Sequence, residues 1–570
     1  MLEADHPIRQ ANYYPWDSIC HRSLLPKCIS NTPTGFTEYL SKIRSWVETC
    51  DDNHPTCFDF SSGGHPNLPT RVLDVRPVSN GMDPCLHVSN GEQAPFMCLS
   101  YCWGGSLPIR TTRETITSFR KGISWNELPQ TFQDAVSVAH FLGISFLWID
   151  SLCIIQDDAQ DWESEAAQMA NIYGRSTLTI AATQSSNPNS GLFQILPDSL
   201  DRAIPSSILP PNSPPLYYRS TISHEELQNC MDDQVSTEQN PAFPLLRRAW
   251  AYQEHLLSPR IVHFTTRELV WECSHTMSCC CTPANTIGPG LQKQVSSLLG
   301  NQAGNSALTS EQDLFTLWCR IVTCYTTKSL TKESDRLIAL SGIAKKAQIK
   351  LNSEYLAGLW EKDLARGLTW NSCLTTNCPR VPTARIPLQY RAPSWSWASV
   401  EGKVEWTLQS QPNGIHIIHS HCNVGHLDTT GGVHGGYIHL SGYVVQVYYH
   451  YGYPWLNESP YALSARTSRY GGQAVSFIPD TRIDIAGPDY IEDGSKLHCL
   501  ILHGILGLHH MERVTATESI YFMVLRSTKS SKHNDCPVFS RVGMGCSRVS
   551  DFPIWTGFFS SATKKEIVII

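Results

Sequence analysis

The chain has 570 residues, enough for two or three domain-sized units. With 41% hydrophobic and 17% charged residues it carries material for several cores, which excludes global disorder. A net charge of −7, from 44 basic and 51 acidic residues, leaves no basic excess for a phosphate backbone, so nucleic acid is excluded as the main partner.

The opening MLEADHPIRQ has no apolar leader core, and no run of ~18 uncharged apolar residues follows. The 21 cysteines are odd in number and irregularly spaced. The expectation is a cytoplasmic protein with reduced thiols and no membrane span.

Residues 1–94 read as irregular, apart from a short strand at Arg71–Val75. Residues 96–101 read as a strand stopping at Trp103-Gly104-Gly105. A helix follows Pro129, with Phe132, Val136, Ala139, Phe141 and Leu142 at helical spacing, and Gly143 stops it. Ile144–Ile149 is an apolar run ending at Asp150, as in a parallel strand covered on both faces. A second helix starts with Asp161 as N-cap and Glu163 and Glu165 in its first turn. Trp162, Ala166, Met169 and Tyr173 share one face, and Trp148 and Trp162 are expected in the core. Thr177–Ala182 is the third strand. This alternation predicts right-handed βαβ units and a parallel sheet.

A Ser/Pro-rich insertion at 184–242 includes Leu209–Pro215. Arg248–Leu257 reads as a helix broken by Pro259, and 260–264 and 268–272 as strands across a tight turn. The expected domains are 1–94, 95–275 with its insertion, a loop at 276–308, a helical region at 309–390 and a β-rich domain at 391–570. Strand-like runs there are 415–418, 437–440, 444–448 and 520–525.

Three blocks carry a resemblance. They are Leu99-Ser100-Tyr101-Cys102-Trp103-Gly104; the stretch from Leu128-Pro129-Gln130-Thr131 through Trp148-Ile149-Asp150-Ser151-Leu152-Cys153 to Leu178–Ala182; and Arg248-Ala249-Trp250-Ala251-Tyr252-Gln253-Glu254. In order and spacing they resemble the fungal heterokaryon-incompatibility (HET) domain over about residues 95–255. That resemblance implies an effector or regulator of self/non-self recognition and programmed cell death, working through protein partners or self-association. The element order is also similar to Toll/interleukin-1 receptor-like (TIR) domains, implying a three-layer α/β fold. Some of those domains cleave NAD at the nicotinamide–ribose bond with a glutamate, which here would be Glu254, making the chain an NAD+ nucleosidase. The alternative is a catalytically inactive interaction scaffold.

On that likeness Ser100, Tyr101, Trp103, Gly104, Asp150 and Trp250 line the substrate site. Strand ends are where an open parallel sheet binds ligands, and Gly104-Gly105 would admit a ligand close to the backbone. With no GxGxxG, NAD would be a substrate, and no cofactor is expected. Each nominee has a plain rival: Glu254 pairing with Arg248 or Arg260, Asp150 capping the following loop, Cys153 a buried thiol. Asp157, Asp158, Asp161, Glu163 and Glu165 read as a solvated helix start. Cys50, His54 and Cys57 have zinc-like spacing, and Cys273, His275, Cys279, Cys280 or Cys281 could add a fourth ligand; free buried thiols are the rival.

Overall fold

A computed structural model describes residues 33–57, 64–105, 109–193, 201–203, 217–219, 224–232, 242–266, 268–279, 291, 294–295, 310–372, 384–406, 411–425, 429–452, 459–465, 474–503, 519–528, 536–548 and 561–570. The chain divides into two compact units, 1–304 and 305–570. Residues 209–215, 280 and 281 and most of 276–308 lie outside the described residues.

The first unit opens with α1 (Pro33–Asn53), where an irregular region was expected. Tyr39, Leu40, Ile43, Trp46 and Cys50 recur at helical spacing and are all buried, so one apolar stripe drives it. Its sheet holds β1 (Arg71–Asp74), β2 (Cys85–Val88), β3 (Phe96–Ser100), β4 (Phe146–Trp148), β5 (Leu178–Ala181), β8 (Arg260–Phe264), β9 (Leu269–Cys273) and β10 (Met277–Cys279). A separate ribbon pairs β6 (Asp201–Ala203) with β7 (Tyr217–Arg219). The strand order is β10-β9-β8-β5-β3-β4-β1-β2.

The expected parallel sheet is the centre of a mixed one. The four central strands β8-β5-β3-β4 are parallel and buried along their whole lengths. Antiparallel strands flank them on both sides, because β9 follows β8 through a tight turn and β1 meets β4 head to tail.

Helices α3 (Gln130–Leu142), α5 (Ala159–Arg175) and α7 (Ala249–Leu257) make the crossovers; α2 (Ile116–Phe119), α4 (Asp150–Cys153) and α6 (His224–Asp232) are shorter. The step from β3 to β4 goes one way along the sheet, and the step from β4 to β5 returns past β3. Right-handed crossovers then put α3 on one face and α5 and α7 on the other. In agreement, α5 packs on α7, and α3 on α1.

Helix α5 begins two residues before the expected cap: Asp158 is its N-cap, accepting from the backbone N–H of Gln160 and Asp161. Asp161 instead takes a two-pronged hydrogen bond from Arg71 at 2.7 and 2.6 Å. Glu165, also expected in solvent, is buried 3.5 Å from the same guanidinium. Trp148 is core as expected, but Trp162 is only half-buried and stands edge-on to Trp250, with ring centroids 6.2 Å apart.

In the second unit a capping box between Ser310 and Asp313 starts the helix Glu311–Tyr325, and a second helix spans Ser341–Leu351. A nine-stranded sheet follows. The expected strands at 437–440 and 444–448 are parts of one 19-residue strand, Val433–Tyr451. Gly442 does not break it: a Cβ there would come within 2.7 Å of Leu500, so the glycine answers close packing and not a turn. The strand pairs with both Lys496–His503 and Thr563–Ile569. Thr563–Ile569 also pairs with Val538–Arg548, which reaches Lys496–His503 through Ser519–Ser527. Five strands thus close into a ring, and Val445, Val447, Leu497, Cys499, Phe522 and Val524 from three of them belong to one buried apolar cluster.

Candidate functional site

Strand β3 is the topological switch point of the parallel sheet. Its chain leaves toward α3 on one face, while β4 and β5 on either side leave toward the other. A crevice is therefore expected beyond the C-terminal end of β3. Ser100, Tyr101 and Trp103 occupy that end, Asp150 follows β4, and α7 brings Glu254 from above.

Glu254 and Ser100, 154 positions apart in sequence, meet there: the Ser100 hydroxyl donates to Glu254 Oε2. Glu254 is 5% exposed. Burial disfavours its charged form, while the Ser100 hydroxyl, the Arg248 guanidinium and the Tyr173 hydroxyl favour it and the Asp150 charge opposes it. The balance raises its carboxyl to about 7. Tyr173 also donates to the Leu99 carbonyl at 3.3 Å. The expected rival pairing with Arg260 does not occur; that guanidinium meets Asp51 at 2.5 Å.

Asp150 sits half-buried at the same rim. The Trp103 indole N–H donates to its Oδ2 at 2.8 Å, and its Oδ1 accepts the Ser151 N–H at 2.6 Å, so it meets a rim residue as well as the backbone of α4, whose N-cap is Ile149. Desolvation raises its carboxyl, with Arg248 and Trp103 opposing. Arg248, at the start of α7, donates to the Tyr101 carbonyl. The buried Tyr101 ring packs edge-on to Phe132. Trp103 and Trp250 are half-buried.

Gly104 has φ +68°, and a Cβ there would lie 2.4 Å from Asn187 Cβ. The space left by its missing side chain is therefore filled by the chain itself; only Gly105 has open surroundings. Cys153 is a buried thiol pushed up to about 12, chiefly by burial, and so has no nucleophile's character.

Sequence reasoning missed Tyr173 as a neighbour of Glu254, although its helix face was legible. It also missed a second buried set. Glu272 on β9 accepts from His255 on α7 at 2.7 Å and lies 3.5 Å from His263 on β8, whose other nitrogen meets Thr183 Oγ1 at 2.9 Å. Burial works to raise the Glu272 carboxyl, but the charge and hydrogen bond of His255 and the bond from His263 hold it at about 2. Only the adjacent β8–β9 register could have revealed this.

Cys50, His54 and Cys57 gather with Cys273, away from the rim: the pairing Arg260↔Cys273 places Cys273 at the opposite edge of the sheet from Ser100. Among the described residues no helix is long and apolar enough to cross a membrane.

A mixed α/β domain whose switch point holds a desolvated carboxylate, a hydroxyl donor and a guanidinium is the class defined by this geometry. Residues 96–254 match the family model described as Heterokaryon incompatibility protein (HET), and the chain carries a HET domain over those residues. The match begins with β3 and ends on Glu254. It points to a role in heterokaryon incompatibility. No curated protein and no solved structure matches the chain.

Proposed function

We propose that the protein is an effector of self/non-self recognition and cell death, and that its HET domain acts by hydrolysing NAD+ at the nicotinamide–ribose bond. The observation that carries this reading is the meeting of Glu254 with Ser100, Arg248 and Asp150 at the switch point, with a carboxyl that titrates near neutrality.

In the proposed reaction the C1′–nitrogen bond breaks and its electron pair leaves with nicotinamide, neutralising the pyridinium. Water adds at C1′ and gives up one proton, yielding ADP-ribose. The ionised Glu254 faces the developing oxocarbenium charge and accepts the ribose 2′-hydroxyl. Ser100 orients that carboxylate, Arg248 favours its ionised form, and Trp103, fixed by Asp150, lines the site. The likeness to TIR domains belongs to this proposal, as do the protein partners or self-association that would raise its effective concentration.

A second reading, a non-catalytic interaction module, is favoured by the burial of Glu254. Purified full-length protein incubated with NAD+ over a range of concentrations separates the two. Nicotinamide release that falls about 100-fold or more in Glu254→Gln supports catalysis. Release that is equal in both proteins removes Glu254 from the site, and none at any concentration leaves the interaction module.

A further inference from the structure

The thiols of Cys50, Cys57 and Cys273 and an imidazole nitrogen of His54 lie within 4.8 Å of one another. Three different local structures bring them there. Cys50 is in the last turn of α1. His54 follows that helix, its backbone N–H bonded to the Cys50 carbonyl at 2.9 Å. Cys57 ends a single 3-10 turn, its N–H bonded to the His54 carbonyl at 2.9 Å. Cys273 comes from the end of β9, more than two hundred residues later.

The spacing suits one small cation. Zn–S bonds of ~2.3 Å and Zn–N bonds of ~2.0 Å put the corners of a tetrahedron ~3.5 to 3.8 Å apart. Cys273 Sγ stands 3.5 Å from His54 Nδ1. The donors also have the supporting contacts of a formed site. The Thr276 N–H points at Cys273 Sγ at 3.4 Å, and the His275 ring stacks on His54 at 4.8 Å. Cys50, Cys57 and Cys273 are each at most 3% exposed, which shields them from competing ligands. Arg260, fully buried, meets Asp51 beside Cys50 and brings positive charge toward what three thiolates would make an anionic centre.

We propose that Cys50, His54, Cys57 and Cys273 bind one Zn2+ in a closed tetrahedral site that fastens α1 to the edge of the sheet. Three thiolates and one imidazole select zinc over the hard cations magnesium and calcium, and four protein ligands leave no open position for catalysis. The role is structural. The site lies at the sheet edge opposite the Glu254 rim, and α1 reaches the sheet otherwise through contacts such as Trp46 on Trp271, with centroids 6.2 Å apart. Binding would displace the thiol protons, so affinity would fall in acid.

The test is the metal content of the full-length protein, purified without chelator from zinc-supplemented growth. About one zinc per chain is expected, falling to about one tenth or less in Cys273→Ser. His54→Cys should keep about one zinc, and cobalt substitution should then shift the thiolate-to-metal absorption as a fourth sulfur enters. If Cys273→Ser does not fold, the wild type decides by itself. No zinc, even after reconstitution of the reduced protein, would overturn the site. So would a disulfide among Cys50, Cys57 and Cys273 found by mass spectrometry, or zinc retained in full by a folded Cys273→Ser.

Discussion

Glu254 and Glu272 are two glutamates of one unit, each 5% exposed, and the protein treats them in opposite ways. Glu272 lies between two imidazoles and is held ionised, with its carboxyl lowered to about 2. Glu254 has hydroxyl donors and a guanidinium that donates elsewhere, and it is raised to about 7. Burial is the same in both; partner charge decides. A buried carboxylate tied to two imidazoles is a structural tie, whereas one left short of such partners costs stability and keeps a proton available near neutrality.

The largest expected effect comes from Glu272→Gln, which leaves the two imidazoles facing a neutral amide. A loss of about 3–5 kcal/mol in urea unfolding is expected, and a change below about 1 kcal/mol would mean the set is not the tie described.

Glu254→Gln should do the reverse. The folded carboxyl titrates at about 7 against an ordinary value of 4.5, so its contribution to stability is fully present below pH 4.5 and lost as pH rises through 7. Wild type and variant should match near pH 4.5, and the variant should be more stable by roughly 3 kcal/mol at pH 8. A pH-independent difference would break the contrast. Glu272 contributes no slope in that window, because its stabilisation disappears only as pH falls from 4.5 toward 2.

Ser100→Ala removes a donor to Glu254. It should cost about 1 kcal/mol and move the pH midpoint of the wild-type curve upward, read from the same unfolding series. Trp103→Phe should have the smallest effect, about 0.5–1 kcal/mol from the lost bond to Asp150, and tryptophan fluorescence would report any wider change at the rim.

Much of the first unit was legible because its apolar runs are short, buried and separated by helical patterns. Phe96–Ser100, Phe146–Trp148, Leu178–Ala181 and α7 fall within a residue or two of expectation. The convergence of Ser100, Asp150 and Glu254 followed from strand ends and from the HET and TIR resemblances. What stayed hidden depended on partners distant in sequence. Arg71 could not be paired with Asp161 and Glu165 by spacing, so those acids read as solvated. The stripe of α1 is interrupted by polar residues and lies in a region rich in turn formers. The runs 437–440 and 444–448 read as separate strands across Gly442 because the residue that crowds it, Leu500, belongs to another strand.

Gly104 presses on Asn187, and the segment beyond Asn187 is stitched to the start of α3. Thr131 donates to the Pro188 carbonyl and accepts from the Gly191 N–H, while Asp134 accepts from Leu192. The tip of β3, the stretch after β5 and the first turn of α3 are therefore wedged into a single mechanical piece. An alanine at 104 would act as a shim, prying that assembly apart.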